Sequence, residues 1–246
     1  MLFSIITICY NNEADIAKTL DSVLAQDYSG EVEYIIKDGA SKDGTAAIAE
    51  SYRERFEQKG YSFRVISEPD KGIYDAMNAG IKSAKGEIIG MINAGDWYEK
   101  NALSAVAETY AKTPFDMFYA DINLVKENGS IIVKHSKIDR YPSSRNWNHP
   151  TTFITRKTYE ECGLYRNNGV HDDYDLVLRV RRAGKKVVVK NEILANFAVG
   201  GASNQRSLKK SMERIRSRYS CYSNNGYSKL YIIECLMMEA AKFILC

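Results

Sequence analysis

Acidic side chains recur at the ends of apolar segments in the first hundred residues of this chain. Asp38 follows one apolar run, Asp70 follows the next, and Asp96 follows a third. Carboxylates that lie close together repel one another and repel phosphate unless a hard cation lies between them. Mg²⁺ or Mn²⁺, with oxygen ligands and a diphosphate, would remove that conflict. If the fold gathers these acids, the residue types predict a site for a metal ion and a nucleotide.

Other nucleotide and hydrolase motifs are missing from the sequence. No GxGxxG follows the first apolar run, and no GxxxxGK[ST] occurs, which argues against a dinucleotide site and a P-loop. Neither GxSxG nor HExxH is present. The strand-end acids are therefore the main chemical signal in this half of the chain.

The elements that must position these acids alternate between strands and helices. The predicted strands are Phe3–Cys9, 32–36, 63–66 and 87–92. Helices are predicted between them, with Asn12 capping the first, Ser41 capping the second, and the third running over 73–84. This alternation predicts an α/β fold with a mostly parallel sheet flanked by helices, and such sheets bind ligands at the carboxyl ends of their strands.

The second half of the sequence is less regular. Strands are predicted at 117–119, Ile131–Lys134 and 187–189, with an apolar run over 147–154 and a helix over 173–183. We expect residues 1–205 to form one α/β domain. Residues 206–246 are expected to form a basic, amphipathic helical extension.

Composition narrows the class of protein. The chain has 246 residues, 45% of them hydrophobic and 26% charged, with a formal net charge of +3, which is ordinary for a globular protein and argues against nucleic-acid binding. Five cysteines at irregular spacing indicate reduced thiols and a cytoplasmic location, not a zinc site or a disulfide framework. The N-terminal segment is predicted to be a buried strand and not a signal peptide. No apolar run reaches the length that spans a bilayer.

The C-terminal segment combines a basic stretch with an apolar one. Six basic residues and one acid lie between Arg206 and Arg218. Over 230–245 the charged residues Glu234, Glu239 and Lys242 fall within about 140° of a helical wheel, so this helix is predicted to be amphipathic. We expect peripheral contact of 206–246 with the inner face of the plasma membrane. The alternatives are packing on the catalytic domain or on a second copy in a homo-oligomer.

Four stretches resemble the large inverting GT-A glycosyltransferase family that includes cellulose, chitin and hyaluronan synthases. They are SIITICYNNEADIAKTLDSVLAQDY, EYIIKDGASKDGT, SEPDKGIYDAMNAGIKSAKGEIIGMINAGDW and HDDYDLVLRVRRAG, in the family's order. The EPDKGIYDAMN segment and the later GGAS are most similar to the colanic-acid and exopolysaccharide branch of single-domain transferases. The resemblance implies a nucleotide-binding half over 1–97 and an acceptor and catalytic-base half over 98–205.

The resemblance also implies roles for individual residues. Residues expected to line the nucleotide are Ile8, Tyr10, Asn12, Glu13, Asp38, Lys71, Gly72 and Asn93. Among them, Asp38 would accept a hydrogen bond from the base edge, usually uracil. Asp96 would ligate Mn²⁺ or Mg²⁺, and Asp173 would be the catalytic base beside Asp172. From their residue types alone, His149 is a candidate for lining the acceptor or metal pocket, and Trp97 is a candidate for stacking on a sugar ring.

The function implied by the resemblance is transfer of a sugar, with inversion, from a UDP-type nucleotide sugar to a hydroxyl of a glycan or lipid-linked acceptor in surface polysaccharide synthesis. Two departures from the family pattern bear on the site. Asn93-Ala94-Gly95-Asp96 keeps one aspartate where relatives often have two or more, and Asp172-Asp173 replaces the usual Glu-Asp pair. The weakened first motif is the best support for an alternative, a non-catalytic nucleotide- or glycan-binding module. A sugar-nucleotidyltransferase is a second alternative, but Tyr10-Asn11-Asn12-Glu13 is not the glycine- and arginine-rich loop of that class.

Each of these residues also has a purely structural interpretation. Asp38 could cap a turn, Asp96 could cap a helix that begins near Glu99, and Asp173 could be an acid favoured by a helix dipole. His149 beside a proline and Trp97 could be core residues, and Lys71 could be a solvated charge. The Gly200-Gly201-Ala202-Ser203 stretch could be a loop that closes after the donor binds, or a plain linker.

Overall fold

The computed structural model describes residues 1–200 and 208–245, with side chains described as far as Ala240. In that part of the chain the strands are Phe3–Cys9 (β1), Val32–Asp38 (β2), Ser62–Ser67 (β3), Ile88–Met91 (β4), Trp97–Tyr98 (β5), Met117–Lys126 (β6), Ile131–Lys134 (β7), Phe153–Thr155 (β8) and Val187–Val199 (β9). The helices are Ile16–Leu24 (α1), Thr45–Ser51 (α2), Arg53–Gln58 (α3), Ile73–Ser83 (α4), Ala102–Lys112 (α5), Arg156–Cys162 (α6), Asp172–Arg182 (α7), Leu208–Asn224 (α8) and Tyr231–Leu245 (α9). Short 3₁₀ turns lie at Ser144–Asn146 and His149–Thr151.

One mixed sheet runs through the molecule in the order β3-β2-β1-β4-β8-β6-β9-β5, with β7 paired to β6. Strands β1 to β4 are parallel to one another, and β9 is parallel to β6. β8 runs antiparallel between β4 and β6. All residues of β1 and β2 are buried, as expected for parallel strands covered on both faces. The α/β prediction and the four strands of the first half are confirmed.

The second half differs from the prediction in the length of two strands. β6 has 10 residues and β9 has 13, although only the first three residues of each were predicted. In the β6–β9 pairing, Ala120 pairs with Lys190 but Asp121 pairs with Ile193, so the register shifts between these two residues of β6. Polar residues at this irregularity and beyond it interrupt the apolar pattern. The alternation of apolar and polar residues therefore did not predict the C-terminal part of either strand.

Two predicted helix caps were wrong. Helix α1 begins at Ile16 after Asp15, and the Asn12 side chain instead accepts a hydrogen bond from the Tyr10 N–H at 3.0 Å. Helix α2 begins at Thr45, and the Ser41 hydroxyl donates to the Asp38 carboxylate. Asn and Ser side chains bond to loops as readily as to helix ends, so residue type alone did not distinguish these roles.

Apolar side chains form one core layer on each face of the sheet. Phe3, Ile5 and Tyr34 belong to one layer, and Ile6 and Ile35 belong to the other, as the alternation of side chains along a strand requires. Helix α4 approaches β1 closely at Gly80, where an added Cβ would lie 2.7 Å from Ile6 Cγ2. This close approach positions the helix that follows the carboxyl end of β3.

The two C-terminal helices pack on the rest of the protein through aromatic rings. The Tyr222 ring of α8 stacks on Tyr231 of α9 with 4.0 Å between centroids, and its hydroxyl lies 3.3 Å from the Tyr174 hydroxyl of α7. None of the helices in the described ranges is both long and apolar enough to cross a membrane. Residues 201–203 of the predicted glycine-rich loop, and Arg206 of the basic stretch, lie outside the described residues.

Candidate active site

The carboxyl ends of the parallel strands meet at one edge of the sheet, as predicted. Asp38 at the end of β2 pairs with Cys9 on one side and with Ser67 on the other. The Ala94 N–H donates to the Ile8 carbonyl at 3.2 Å, which places the segment after β4 against the end of β1. We call this edge, formed by the ends of β1 to β4 and the loops that follow them, the strand-end rim.

Asp38 is held at the rim by donors from the chain itself. Its side chain is fully buried and accepts hydrogen bonds from the Ser41 N–H at 3.0 Å, from the Ser67 hydroxyl at 2.6 Å and from the Ser41 hydroxyl. Burial acts to raise the pKa of Asp38, but the bonds from Ser41 and Ser67 outweigh it and lower the pKa below its usual value. This carboxylate is therefore compensated without a cation, and it joins three strand ends.

The loop after β1 is tied to the loop after β2. The Asn12 N–H donates to Thr45 Oγ1 at 2.7 Å, and Glu13 accepts from the Gly44 N–H at 2.7 Å. The Asn11 N–H donates to Ser41 Oγ at 2.8 Å, and Asn11 takes a left-handed backbone conformation with φ 51°. Asn12 and Glu13 thus tie the two loops of the rim together, and the neighbouring residue Tyr10 is 56% exposed.

Tyr10 and Asp70 approach each other over Gly39. A Cβ at Gly39 would lie 2.7 Å from Asp70 Oδ2 and 3.2 Å from Tyr10 Cδ2, so a larger residue would require the Asp70 side chain to shift. The other oxygen of Asp70 accepts from the Gly72 N–H at 2.9 Å. Gly72 precedes helix α4 with φ 115°, and Lys71 beside it is exposed. The aromatic ring, the glycine turn and the helix N-terminus therefore share one part of the rim.

Asp96 differs from the other rim acids because, among the described residues, its carboxylate accepts from a single donor, the Ala198 N–H, at 3.0 Å. Its side chain is 5% exposed, and burial raises its pKa to about 7, against the small opposing effect of that hydrogen bond. The Oδ1 atom of Asn93, three residues earlier, is buried and has no hydrogen-bond partner among the residues that the structure describes. A desolvated carboxylate and an unpartnered amide oxygen are the donor types that a hard cation prefers.

The protein does not form a complete cage for such a cation. Within the described ranges, no group of three or more His, Cys, Asp or Glu side chains could hold a metal ion. Asp96 and Asn93 offer oxygen donors of the kind that a hard cation takes, and a diphosphate and water would have to supply its remaining ligands. A motif with a single aspartate is consistent with a cation that takes most of its ligands from the diphosphate and water.

Trp97 lies next to Asp96 and carries a cation on its face. The Lys18 ammonium is 3.0 Å from the ring centroid, and burial lowers the pKa of this lysine. Thr19, the next residue of α1, donates to the Asp96 carbonyl at 2.7 Å and accepts from the Gly95 N–H at 3.0 Å. Helix α1 therefore fixes the backbone that presents Asp96.

Asp173 lies at the start of α7 in a second part of the site. Its side chain is half-buried, and burial raises its pKa, with His149 and Tyr74 acting in the opposite direction. Burial also lowers the pKa of His149, which favours its neutral form, and lowers the pKa of Lys134 to about 8. Tyr74 belongs to α4, the helix that begins just after Gly72, so one helix joins the rim to Asp173.

The other acids near Asp173 have structural partners. Asp172 is 4% exposed and accepts from the N–H groups of Asn168 and Gly169. Asp175 forms ion pairs with Arg166 at 3.3 Å and Arg179 at 2.9 Å. Among the three acids of this helix start, Asp173 is therefore the best placed to accept a proton from a ligand.

Sequence reasoning missed two side chains near Asp173. Tyr74 was inside a motif that the resemblance identified, so its position after Gly72 was an available signal. Lys134 ends an edge strand 39 residues before Asp173, and nothing in its local pattern marked it. Its ammonium donates to the Trp147 carbonyl at 2.8 Å, and Trp147 packs near both His149 and Tyr174.

Known proteins match this chain in sequence. A family model described as Glycosyl transferase family 2 matches residues 4–174. The uncharacterized glycosyltransferase Rv1514c of Mycobacterium tuberculosis is 38% identical over 93 residues, which are 38% of this chain and 33% of that protein. The PGL/p-HBAD biosynthesis glycosyltransferase Rv2957 of the same species is 30% identical over 184 residues, 72% of this chain and 69% of that protein. The chain thus spans about a third of the first relative and about two thirds of the second.

Solved structures share the fold. Staphylococcus aureus TarS 1–349 in complex with UDP-GlcNAc superposes with a TM-score of 0.69 at 17% identity, over 98% of this chain and 72% of that one. The mannosyltransferase PcManGT of Pyrobaculum calidifontis, in complex with GDP-Man and Mn²⁺, superposes with a TM-score of 0.68 at 16% identity. The match covers 99% of this chain and 74% of that one. At these identities the likeness is evidence of fold alone, and it confirms the expected GT-A architecture.

Proposed function

Because the chain belongs to glycosyltransferase family 2, we propose that it transfers a sugar from a nucleoside diphosphate sugar to a hydroxyl group of a glycan or lipid-linked acceptor. We propose UDP as the nucleotide and surface polysaccharide synthesis as the pathway. The observation that carries the proposal is the arrangement of Asp173 and Asp96. Asp173 is a half-buried carboxylate with a raised pKa, and helix α4 links it to the strand-end rim. The rim holds Asp96, a desolvated carboxylate that accepts a hydrogen bond from the Ala198 N–H.

The rim supplies the parts that a nucleotide needs. The exposed Tyr10 ring offers a stacking surface for the base, and Gly39 leaves room beside it. We propose that Ile8 and Asn93 line this surface and that Lys71 and the N-terminus of α4 at Gly72 face the diphosphate. Asn12 and Glu13 act by tying the two loops together. Because Asp38 is enclosed, its proposed bond to the base edge requires the Ser41 or Ser67 hydroxyl to turn away.

Mn²⁺ or Mg²⁺ held by Asp96, with Asn93 beside it, would offset the charge of the diphosphate leaving group. The chain's own residues carry the remaining steps. Asp173 accepts the proton of the acceptor hydroxyl as that oxygen attacks the anomeric carbon, and its raised pKa makes it a stronger base at neutral pH. Direct attack opposite the leaving group inverts the anomeric centre and needs no sugar bound covalently to the protein. His149 and Trp97 are proposed to support the acceptor and the rim.

A thermal-unfolding screen tests donor binding. UDP-GlcNAc, UDP-glucose and GDP-mannose are added with and without Mn²⁺, since a ligand that binds only the folded state raises its stability by mass action. We expect a UDP-sugar to raise the melting temperature more with Mn²⁺ than without it. A larger shift with GDP-mannose would replace UDP with GDP in the proposal. No shift with any nucleotide sugar would contradict the proposal.

Donor turnover separates a transferase from a non-catalytic module on the same fold. We expect slow release of UDP from the donor that binds, with water as a substitute acceptor, and faster release when an acceptor glycan is present. Tight donor binding with no release of UDP, even with candidate acceptors, would favour the module.

A further inference from the structure

Helix α9 turns its acidic side chains toward the protein. Glu239 is 3% exposed and accepts from Arg214 of α8, with Nη2 at 2.7 Å and Nε at 3.0 Å. Its other oxygen lies 3.6 Å from Nη1 of Arg218, a residue that is itself 3% exposed. Glu234 accepts from the Tyr222 hydroxyl at 3.2 Å. The polar side of this amphipathic helix is therefore its inner side, which reverses the usual orientation of a surface helix.

The opposite side of α9 is apolar and exposed. Ile233, Leu236 and Met237 are 54%, 51% and 66% exposed, and Leu230, just before the helix, is 71% exposed. Successive helical residues turn by about 100°, so these four and the exposed Ala240 fall within an arc of about 120°. No charged residue of 230–240 falls in this arc. We call these five residues the apolar stripe. Single exposed leucines are common, but a continuous stripe of this kind marks a binding surface.

The exposed charges of the same helical pair are mainly positive. Lys209, Lys210 and Arg216 are exposed on α8, and Lys229 directly precedes the apolar stripe. Glu213 is the exposed acid in the described part of this pair. A second copy docking through the same surface would bring like charges together, whereas an anionic surface complements them. Apolar side chains beside cations suit the boundary between lipid headgroups and acyl chains.

We propose that α9 docks the protein on an anionic phospholipid bilayer. The apolar stripe enters the boundary between headgroups and acyl chains, and Lys229, which directly precedes the stripe, lies near the phosphates. The inward ion pairs explain why the helix presents this side, because turning it over would separate Glu239 from Arg214 and Arg218. This inference rests on α8 and α9 alone and does not depend on the proposed transfer reaction.

Vesicle co-flotation of the full chain tests the proposal. Vesicles of phosphatidylcholine are compared with vesicles that also contain phosphatidylglycerol, at low and high salt. We expect wild-type protein to float with the anionic vesicles and to bind less at high salt. The double variant Ile233→Gln with Met237→Gln should bind anionic vesicles at least about tenfold less. Two apolar side chains that would be buried in the bilayer are replaced by polar ones. Lys229→Glu should weaken binding to anionic vesicles and reduce its salt dependence.

Ile131→Gln is the matched control, since Ile131 is 59% exposed on β7, outside the helical pair. It should bind vesicles as wild type does, and circular dichroism and thermal unfolding check that every variant folds. Wild-type protein that stays in solution with anionic vesicles would overturn the proposal, as would a double variant that binds equally well. If neither protein binds vesicles and the double variant converts a dimer to a monomer, the stripe is occupied by a second copy instead. Donor binding is measured separately, so failure here leaves the proposed function standing.

Discussion

Asp96 and Asp173, the two aspartates of the proposed reaction, occupy different surroundings. Asp96 is almost enclosed and accepts from the backbone N–H of Ala198, whereas Asp173 is half-buried and faces Tyr74 and His149. Burial raises the pKa of both. At Asp96 the resulting unfavourable free energy of ionisation would be relieved by a cation, and at Asp173 the raised pKa favours proton acceptance. Equal residue types therefore carry different proposed roles.

Replacing Asp173 with asparagine should remove the base and preserve the shape of the site. We expect the turnover rate to fall by about 10²–10⁴ while donor binding changes little, because the base acts on the acceptor. Steady-state kinetics and donor-induced thermal shifts measure the two effects. Glu54→Gln, at an exposed position on α3, is the matched charge control and should leave both unchanged. An Asp173→Asn protein with wild-type turnover would remove this residue from the mechanism.

Asp96 should make the stability of the metal-free protein depend on pH. Its folded-state pKa is about 7, against an ordinary 3.8, so between these values the folded state keeps a proton that the unfolded chain has lost. The contribution of this group to stability is thus full below about pH 4 and is lost as pH rises to about 7. Asp96→Asn removes the charge, and we expect the variant to be more stable than wild type by about 1–4 kcal/mol at pH 8.

Urea unfolding in EDTA at pH 4.5 and pH 8 measures this effect. The gain from Asp96→Asn should be small at pH 4.5, and the Mn²⁺-dependent part of any donor-induced thermal shift should disappear. A gain of equal size at both pH values would show that Asp96 does not titrate as the buried position predicts. Glu54→Gln again supplies the control.

Sequence reasoning identified the residue types at the rim but not which of them need a ligand. The carboxylate of Asp38 is compensated by Ser41 and Ser67, and that of Glu13 accepts from Gly44. The sequence pattern treats all strand-end acids alike, because hydrogen-bond partners from other loops are not visible in a linear pattern. Only the folded chain separates Asp96 from the rest.

At the scale of elements, the predictable parts are those with local patterns. The strands β1 to β4 and helices α4 and α7 follow continuous apolar runs or helical periodicity, and they were predicted within a few residues. The starts of α1 and α2 were missed because Asn12 and Ser41 bond to other loops. The long β6–β9 pair was missed because polar residues such as Asn196 pair across it, with the amide of Asn123 at 2.9 Å.

The ion pairs between α8 and α9 should contribute strongly to stability. Glu239→Ala would leave Arg214 and Arg218 without their carboxylate in a nearly buried position, and we expect the free energy of unfolding to fall by about 3–5 kcal/mol. Chemical unfolding measures the change. Glu213→Ala on the exposed side of α8 is the matched control and should stay within about 0.5 kcal/mol of wild type. A Glu239→Ala protein as stable as the control would contradict an inward packing of this acid.

At the scale of the whole molecule, elements that lie beyond the region matched by the family model also contribute to the fold and the site. Residues 4–174 match the family, yet β9 lies inside the sheet and supplies the Ala198 N–H to Asp96. Helix α8 then covers α7, where Tyr222 meets Tyr174. The segments beyond the match therefore support the site that the match contains.

A chain that ends at Gly200 should be less stable for this reason. Losing α8 and α9 exposes Tyr174 and neighbouring apolar groups of α7, at about 1.5–3 kcal/mol for each large side chain. We expect the melting temperature to fall by roughly 10 °C or more. Differential scanning calorimetry measures the change. An unchanged melting temperature would show that the helical pair is an independent unit.

The amino-acid sequence by itself determined the alternating strands and helices, the parallel half of the sheet and the edge at which polar residues gather. These follow from burial periodicity and from the geometry of right-handed crossovers, which act over short stretches of chain. The tertiary structure decided which acids are compensated, which tyrosine and lysine surround Asp173, and which side of α9 faces outward. Those properties depend on partners from distant segments, because desolvation and hydrogen bonding are set by what the fold places around each group.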